Sequence, residues 1–204
     1  MSYPIPDLPA GEWQESELEV ERSRFITWVC HAPETSAFER LLAAARQAHP
    51  SASHHCSAFI AGPPGEQQAI GFSDDGEPGG TAGRPMYQVL EGSGMGQIGC
   101  VVIRYFGGTK LGTGGLARAY SQAVAQALER LATLDFTPRA PLRLKLDFSG
   151  EAEARAWLES QDVPIEHVDY GADGVILTVG WPQNTPKNLE PLEARLKGRL
   201  EALD

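Results

Sequence analysis

A chain of 204 residues and 22.0 kDa is long enough to bury a core without covalent staples and suggests one or two domains. Lys and Arg number 17 against 27 Asp and Glu, so the formal net charge of -10 repels nucleic acid and anionic membranes from most of the surface. With 42% hydrophobic, 22% charged and 8% aromatic residues the composition is that of a globular protein, which excludes dominant disorder, collagen and coiled coil.

In chain order, residues 1–16 hold three prolines and no periodicity, and read as an extended lead-in with neither the basic start nor the apolar core of a signal peptide. Glu17–Arg24 and Phe25–His31 are strand-like. Pro33-Glu34-Thr35 opens a helix to about Ala48, with Phe38, Leu41, Leu42 and Ala45 on one face. His55–Ala61 and Gln67–Phe72 read as strands around the turn Gly62-Pro63-Pro64-Gly65. The polar loop Ser73–Gly80 precedes a helix that Thr81 caps and that runs towards Leu90. Ile98–Phe106 is the most apolar run and reads as a buried central strand. Gly107–Gly115 follows as a glycine-rich loop, and the Ala-rich stretch from Leu116 is a strong helix.

Thr137–Pro141 is the candidate linker, giving domains 1–136 and 137–204. Beyond it Leu142, Leu144, Leu146 and Phe148 alternate with polar residues, a half-buried strand. Glu151–Ser160 reads as a helix, Val163–Tyr170 and Gly174–Trp181 as strands. Leu189, Leu192, Leu196, Leu200 and Leu203 mark one face of a closing helix, with Pro191 harmless in its first turn. A β-α-β-β-α order implies a small α+β domain with its helices on one face of an antiparallel sheet.

Cys30, Cys56 and Cys100 are odd in number and form no CxxC pair, so neither a disulfide framework nor a zinc knuckle is indicated. No stretch reaches the ~18 apolar residues of a membrane span. A cytoplasmic protein without membrane contact is expected.

Charge is unevenly spread. Residues 1–100 carry -8, residues 141–204 carry -5, and residues 101–140 carry +3 through Arg104, Lys110, Arg118, Arg130 and Arg139 against Glu129 and Asp135. This basic island coincides with the glycine-rich loop. A strand feeding such a loop and then a helix offers free backbone N–H groups and the positive end of the helix dipole. Gly107, Gly108, Gly112, Gly114 and Gly115 permit close approach and positive φ. Arg104, Lys110 and Arg118 supply charge for a phosphate or carboxylate, and Tyr105 and Phe106 supply rings for stacking. A Walker A loop would place Lys at position 113, where Thr113 stands, and GxGxxG is not satisfied with a plausible acidic partner downstream. The competing reading is a tight turn whose glycines serve packing alone.

Asp74, Asp75 and Glu77 gather three carboxylates that suit Mg²⁺, a general base or a basic partner. They lack the ligand spacing of a calcium loop, and turn capping explains them equally well. His54-His55-Cys56 begins a strand, so neighbours face opposite ways and cannot ligate one metal. His54 and Cys56 share a face and form a candidate nucleophile pair, set against a buried structural thiol. There is no G-x-S-x-G elbow.

The runs SDDGEPGGTAGRPMYQVL and VVIRYFGGTKLGTGGLARAYSQA, with HHCSAFIAG upstream, resemble the IMPACT family in its YigZ-like two-domain bacterial branch. The resemblance is strongest over residues 17–130 and looser over the C-terminal segment around TPKNLEPLEARL. It implies an α+β fold: a left-handed βαβ superfold domain similar to a ribosomal small-subunit protein, elongation factor G domain IV and the GHMP kinases, then a ferredoxin-like domain similar to elongation factor G domain V. The GHMP glycine motif is not matched by LGTGG here. Eukaryotic relatives regulate translation initiation through the amino-acid-starvation kinase pathway, using an N-terminal module not found in this sequence. The family has no catalytic residues to carry over, and no cofactor or metal is implied.

The resulting expectation is a non-enzymatic regulator of translation that contacts RNA, the ribosome or translation factors. Its contact surface would be Arg104, Tyr105, Gly107, Gly108, Lys110, Gly112, Gly114, Gly115 and Arg118, with His54, Asp74, Asp75 and Glu77 as a second candidate loop. The alternative is a hydrolase or nucleotide-using enzyme that holds an anionic substrate at the same loop. That reading requires His54, Lys110 and the carboxylates to converge on one cleft. A third reading has the acidic C-terminal domain docking a basic protein partner.

Overall fold

A computed structural model of the protein describes residues 1–203. The chain separates into one unit of Tyr3–Phe136 and another formed from Thr137 onward together with Met1 and Ser2.

The first unit contains, in order, β1 (Tyr3–Pro6), β2 (Gln14–Val20), β3 (Ser23–His31), α1 (Thr35–Ala48), β4 (His54–Ile60), β5 (Ile70–Ser73), α2 (Gly83–Gly92), β6 (Ile98–Tyr105), α3 (Gly112–Glu129) and β7 (Thr133–Phe136). Its main sheet has the order β2-β3-β6-β4-β5. Both β3 and β4 are antiparallel to β6 and hence parallel to one another, so β3–α1–β4 is a β-α-β crossover with β6 between its strands. Helix α1 covers one face of the sheet, packing Phe38, Leu41 and Ala45 on Ile26, Trp28, Val101 and Ile103. On the other face α2 and α3 bury Met86, Leu90, Tyr120 and Val124 against Phe25, Val29, Cys100 and Val102. Covered on both sides, β6 has no solvent face, and Ile98 through Arg104 is buried without alternation.

The proline-rich lead-in is more ordered than its composition suggests. Tyr3–Pro6 pairs antiparallel with Thr133–Phe136, a strand with no sequence signal. The run from Glu17 to Arg24 is not one strand. Glu21 and Arg22 take φ of 48° and 65°, and this turn joins β2 to β3 as a hairpin. Thr81 does not cap α2; its hydroxyl donates to the Pro78 carbonyl, and the cap comes from Asp74.

The second unit contains β8 (Arg139–Leu146), a 3₁₀ turn at Phe148–Gly150, α4 (Glu151–Ser160), β9 (Ile165–Tyr170), β10 (Val175–Pro182), α5 (Glu190–Arg195) and β11 (Leu200–Leu203). Arg139–Pro141, expected as linker, already belong to β8 and pair with Gly180–Pro182. The expected closing helix is also corrected. It stops at Arg195, and Lys197 and Gly198 take φ of 55° and 75°. The Gly198 N–H returns to the Glu193 carbonyl. Leu200–Leu203 then becomes an edge strand antiparallel to β8. The result is β-α-β-β-α-β with sheet order β11-β8-β10-β9, the ferredoxin-like arrangement. Leu144, Leu177, Leu158 and Leu192 are fully buried between the sheet and its helices.

Candidate functional site

The candidate site grows from the end of β6. Successive side chains on a strand point to opposite faces, so Arg104 and Tyr105 part company. Tyr105 lies on the α1 face, where its hydroxyl is 2.7 Å from His49 Nδ1 and its ring sits under the Arg24 guanidinium. Arg104 turns to the α3 face and is buried, 5% exposed.

There Arg104 Nη1 donates to Glu77 Oε1 at 2.6 Å and Nη2 to Ser23 Oγ at 3.2 Å, with the Phe25 and Phe106 rings against its guanidinium. Its Nε has no partner among the described residues. Glu77, 7% exposed, also accepts from the Tyr120 hydroxyl of α3 at 2.8 Å. Cys56 Sγ is 3.0 Å from the Asp74 carbonyl oxygen and 3.3 Å from the Tyr120 hydroxyl. Burial pushes the Cys56 thiol up to about 12, the nearby carboxylates adding to the effect. Burial likewise raises Tyr120 far above the ordinary phenol range, so it remains a donor to Glu77. His54 Nδ1 is held by the Asp75 carbonyl at 2.8 Å, and its Nε2 lies 3.7 Å from Glu77 Oε1. Cys56 and His54 therefore do not form a nucleophile pair: the thiol stays protonated, and the imidazole is engaged elsewhere.

The three carboxylates of the acidic loop have separate tasks. Asp74 caps α2: Oδ1 accepts from the Ala82 and Gly83 N–H groups at 3.1 and 2.8 Å, and Oδ2 from Gly80 N–H at 2.9 Å. Burial raises its pKa, but these three N–H bonds outweigh that and leave it below the ordinary aspartate range. Asp75 accepts from the His55 N–H at 2.7 Å and lies 3.9 Å from Arg46. Glu77 pairs with Arg104. They do not point at a common centre.

The glycine-rich loop is shorter than its sequence suggests, because α3 begins at Gly112 and not at Leu116. Only Gly108 and Gly112 have positive φ. A Cβ on Gly107 would overlap the Arg22 carbonyl, so the loop packs directly on the β2–β3 turn, and the Gly107 N–H donates to Ser23 Oγ. Helix α3 starts with no side-chain cap and no acid in its first turn. Exposed Lys110 and Arg118 flank that start, along a groove of about 520 Å³ shared with Glu21 and Gln122. Neither cation makes an ion pair among the described residues. The Arg118 guanidinium lies over Gly114.

The expected constellation thus divides. Lys110, Gly112, Gly114, Gly115 and Arg118 remain together on the surface. Arg104 and Glu77, assigned to different loops by sequence, form one buried pair, and Lys110 is not part of it. Ser23 and Tyr120 were missed, being 81 and 43 residues from their partners with no motif to mark them.

Residues 21–128 match the family described as the Impact N-terminal domain. The chain is 45% identical to the IMPACT family member YigZ of Escherichia coli over 181 residues, 89% of this chain and 86% of that protein. It is 38% identical to the IMPACT family member YvyE of Bacillus subtilis over 59% of this chain and 55% of that one. A solved structure described as a hypothetical protein superposes with a TM-score of 0.69 at 40% identity, covering 99% of this chain and 96% of that one. With its motifs, its matched domain and a relative aligned over most of both lengths, the chain belongs to the IMPACT family.

Proposed function

We propose that the protein is a non-enzymatic regulator of translation that contacts RNA of the translation machinery through the exposed start of α3. The observation that carries this reading is the pairing of Lys110 and Arg118, both free of carboxylate partners among the described residues, with a helix N-terminus that has no side-chain cap there, in a chain of net charge -10. Helix N–H groups and two cations suit a phosphate, and the acidic remainder confines docking to this place. The enzyme alternative gains nothing from the same geometry. The groove at Lys110 contains one carboxylate, Glu21, while Cys56, Tyr120 and Glu77 are buried in a cluster that does not include Lys110. The test is co-sedimentation with ribosomes, and titration with ribosomal RNA, across a salt series. Lys110→Ala/Arg118→Ala should weaken binding and flatten the slope of log K against log salt by about two. Equal binding by both proteins, or none at low salt, overturns the reading.

A further inference from the structure

The opposite face of the first unit holds a second concave feature that the loop at α3 does not use. A cavity of about 290 Å³ opens between the segment Ala10–Trp13, the end of β3 and helix α1. Its size is at the small end of ligand pockets, roughly 300–1,000 Å³. Leu41, Ala37 and Ala44 of α1 and Cys30 of β3 provide apolar walls. The Trp13 indole forms one side; it stacks on Trp28 at 4.3 Å between ring centroids and is left 40% exposed.

At the rim stands Arg40, which makes neither an ion pair nor a side-chain hydrogen bond among the described residues. Burial raises the Cys30 thiol to about 11, against a backbone hydrogen bond from Gly99 and the Arg40 charge, which both lower it. An apolar hollow with an aromatic side and one unpaired guanidinium is complementary to an amphipathic anion. Glu12, also in the lining, adds a repulsion that grows with ligand charge, so a monoanion facing the single guanidinium is disfavoured less than a phosphate or dicarboxylate. We propose that this cavity binds a small aromatic monocarboxylate, its carboxylate on Arg40 and its ring between Trp13 and Leu41.

Calorimetric titration of the full chain with 3-phenylpropionate, and with the neutral 3-phenylpropionamide, tests this. The acid should bind saturably at one site, and the amide about tenfold more weakly, since its neutral carbonyl accepts from Arg40 but forms no bidentate ion pair with it. Arg40→Gln, on an exposed helix position, should reduce affinity for the acid by a similar factor and affinity for the amide much less. Ala44→Phe, filling the hollow, should abolish binding with an unaltered circular dichroism spectrum. Lys110→Ala/Arg118→Ala should bind the acid as wild type does, which separates this site from the one at α3. No saturable binding at millimolar acid, equal affinity for acid and amide, or retention of binding by Ala44→Phe overturns the proposal.

Discussion

Glu77 is 7% exposed, and its carboxylate is met by Arg104 at 2.6 Å and the Tyr120 hydroxyl at 2.8 Å, with His54 Nε2 at 3.7 Å. Removing one partner of such a pair strands the other without water. Glu77→Ala should therefore cost about 3–5 kcal/mol of unfolding free energy, read by urea denaturation. The double change Glu77→Leu/Arg104→Met should recover much of that loss, because a matched apolar pair leaves no buried charge. A double variant as unstable as the sum of the two single changes would show that the two groups are not energetically coupled. From the sequence, Arg104 belongs to the basic island and Glu77 to the acidic loop. Their meeting depends on β6 and the loop after β5 converging above α3, which no local spacing encodes.

At the scale of elements, the loop between β6 and α3 shows two uses of glycine. Gly107 lies against the Arg22 carbonyl with no room for a Cβ, whereas a Cβ at Gly114 would meet only the Arg118 guanidinium, at 3.3 Å. Gly107→Ala should destabilise the first unit by about 1–3 kcal/mol through overpacking against the β2–β3 turn. Gly114→Ala should leave the melting temperature unchanged or slightly raised, because Ala favours the helix that Gly114 occupies. Differential scanning calorimetry on both variants distinguishes these effects; equal destabilisation would mean that neither environment is as described. The helix from Thr35, the helix at Glu151–Ser160 and the buried strand from Ile98 are legible in the sequence, since periodicity and apolar run length are local. Strands β1, β7 and β11 are not. Each is four residues long and gains its identity from a partner elsewhere in the chain.

Across the whole molecule, each unit buries its own hydrophobic residues, which predicts separate losses of stability. Leu144 is fully buried in the second unit, among Leu177, Leu158 and Leu192. Leu144→Ala should cost about 2–5 kcal/mol, and amide exchange should show lost protection in β8–β11 and α4 while β6 and α3 keep theirs. Uniform loss along the chain would reveal a single cooperative unit. The charge map is also redrawn at this scale. Of the five cations in residues 101–140, Arg104 is spent on Glu77, and Arg139 donates to Asp162 and to the Gly180 carbonyl. Lys110, Arg118 and Arg130 are left exposed without ion pairs among the described residues.

By itself the sequence determined the family, the α+β class and the location of the one basic segment, because motifs, periodicity and net charge are properties of contiguous residues. The tertiary structure decided which charges are available. It buried Arg104 against Glu77, sent Tyr105 to the opposite face and assigned Asp74 to capping a helix. It also left Lys110 and Arg118 at the start of α3. The physical reason is that exposure and pairing depend on contacts between segments 81 or more residues apart, as at Ser23 with Arg104 and Gly107, and only the assembled sheet and helices bring those segments together.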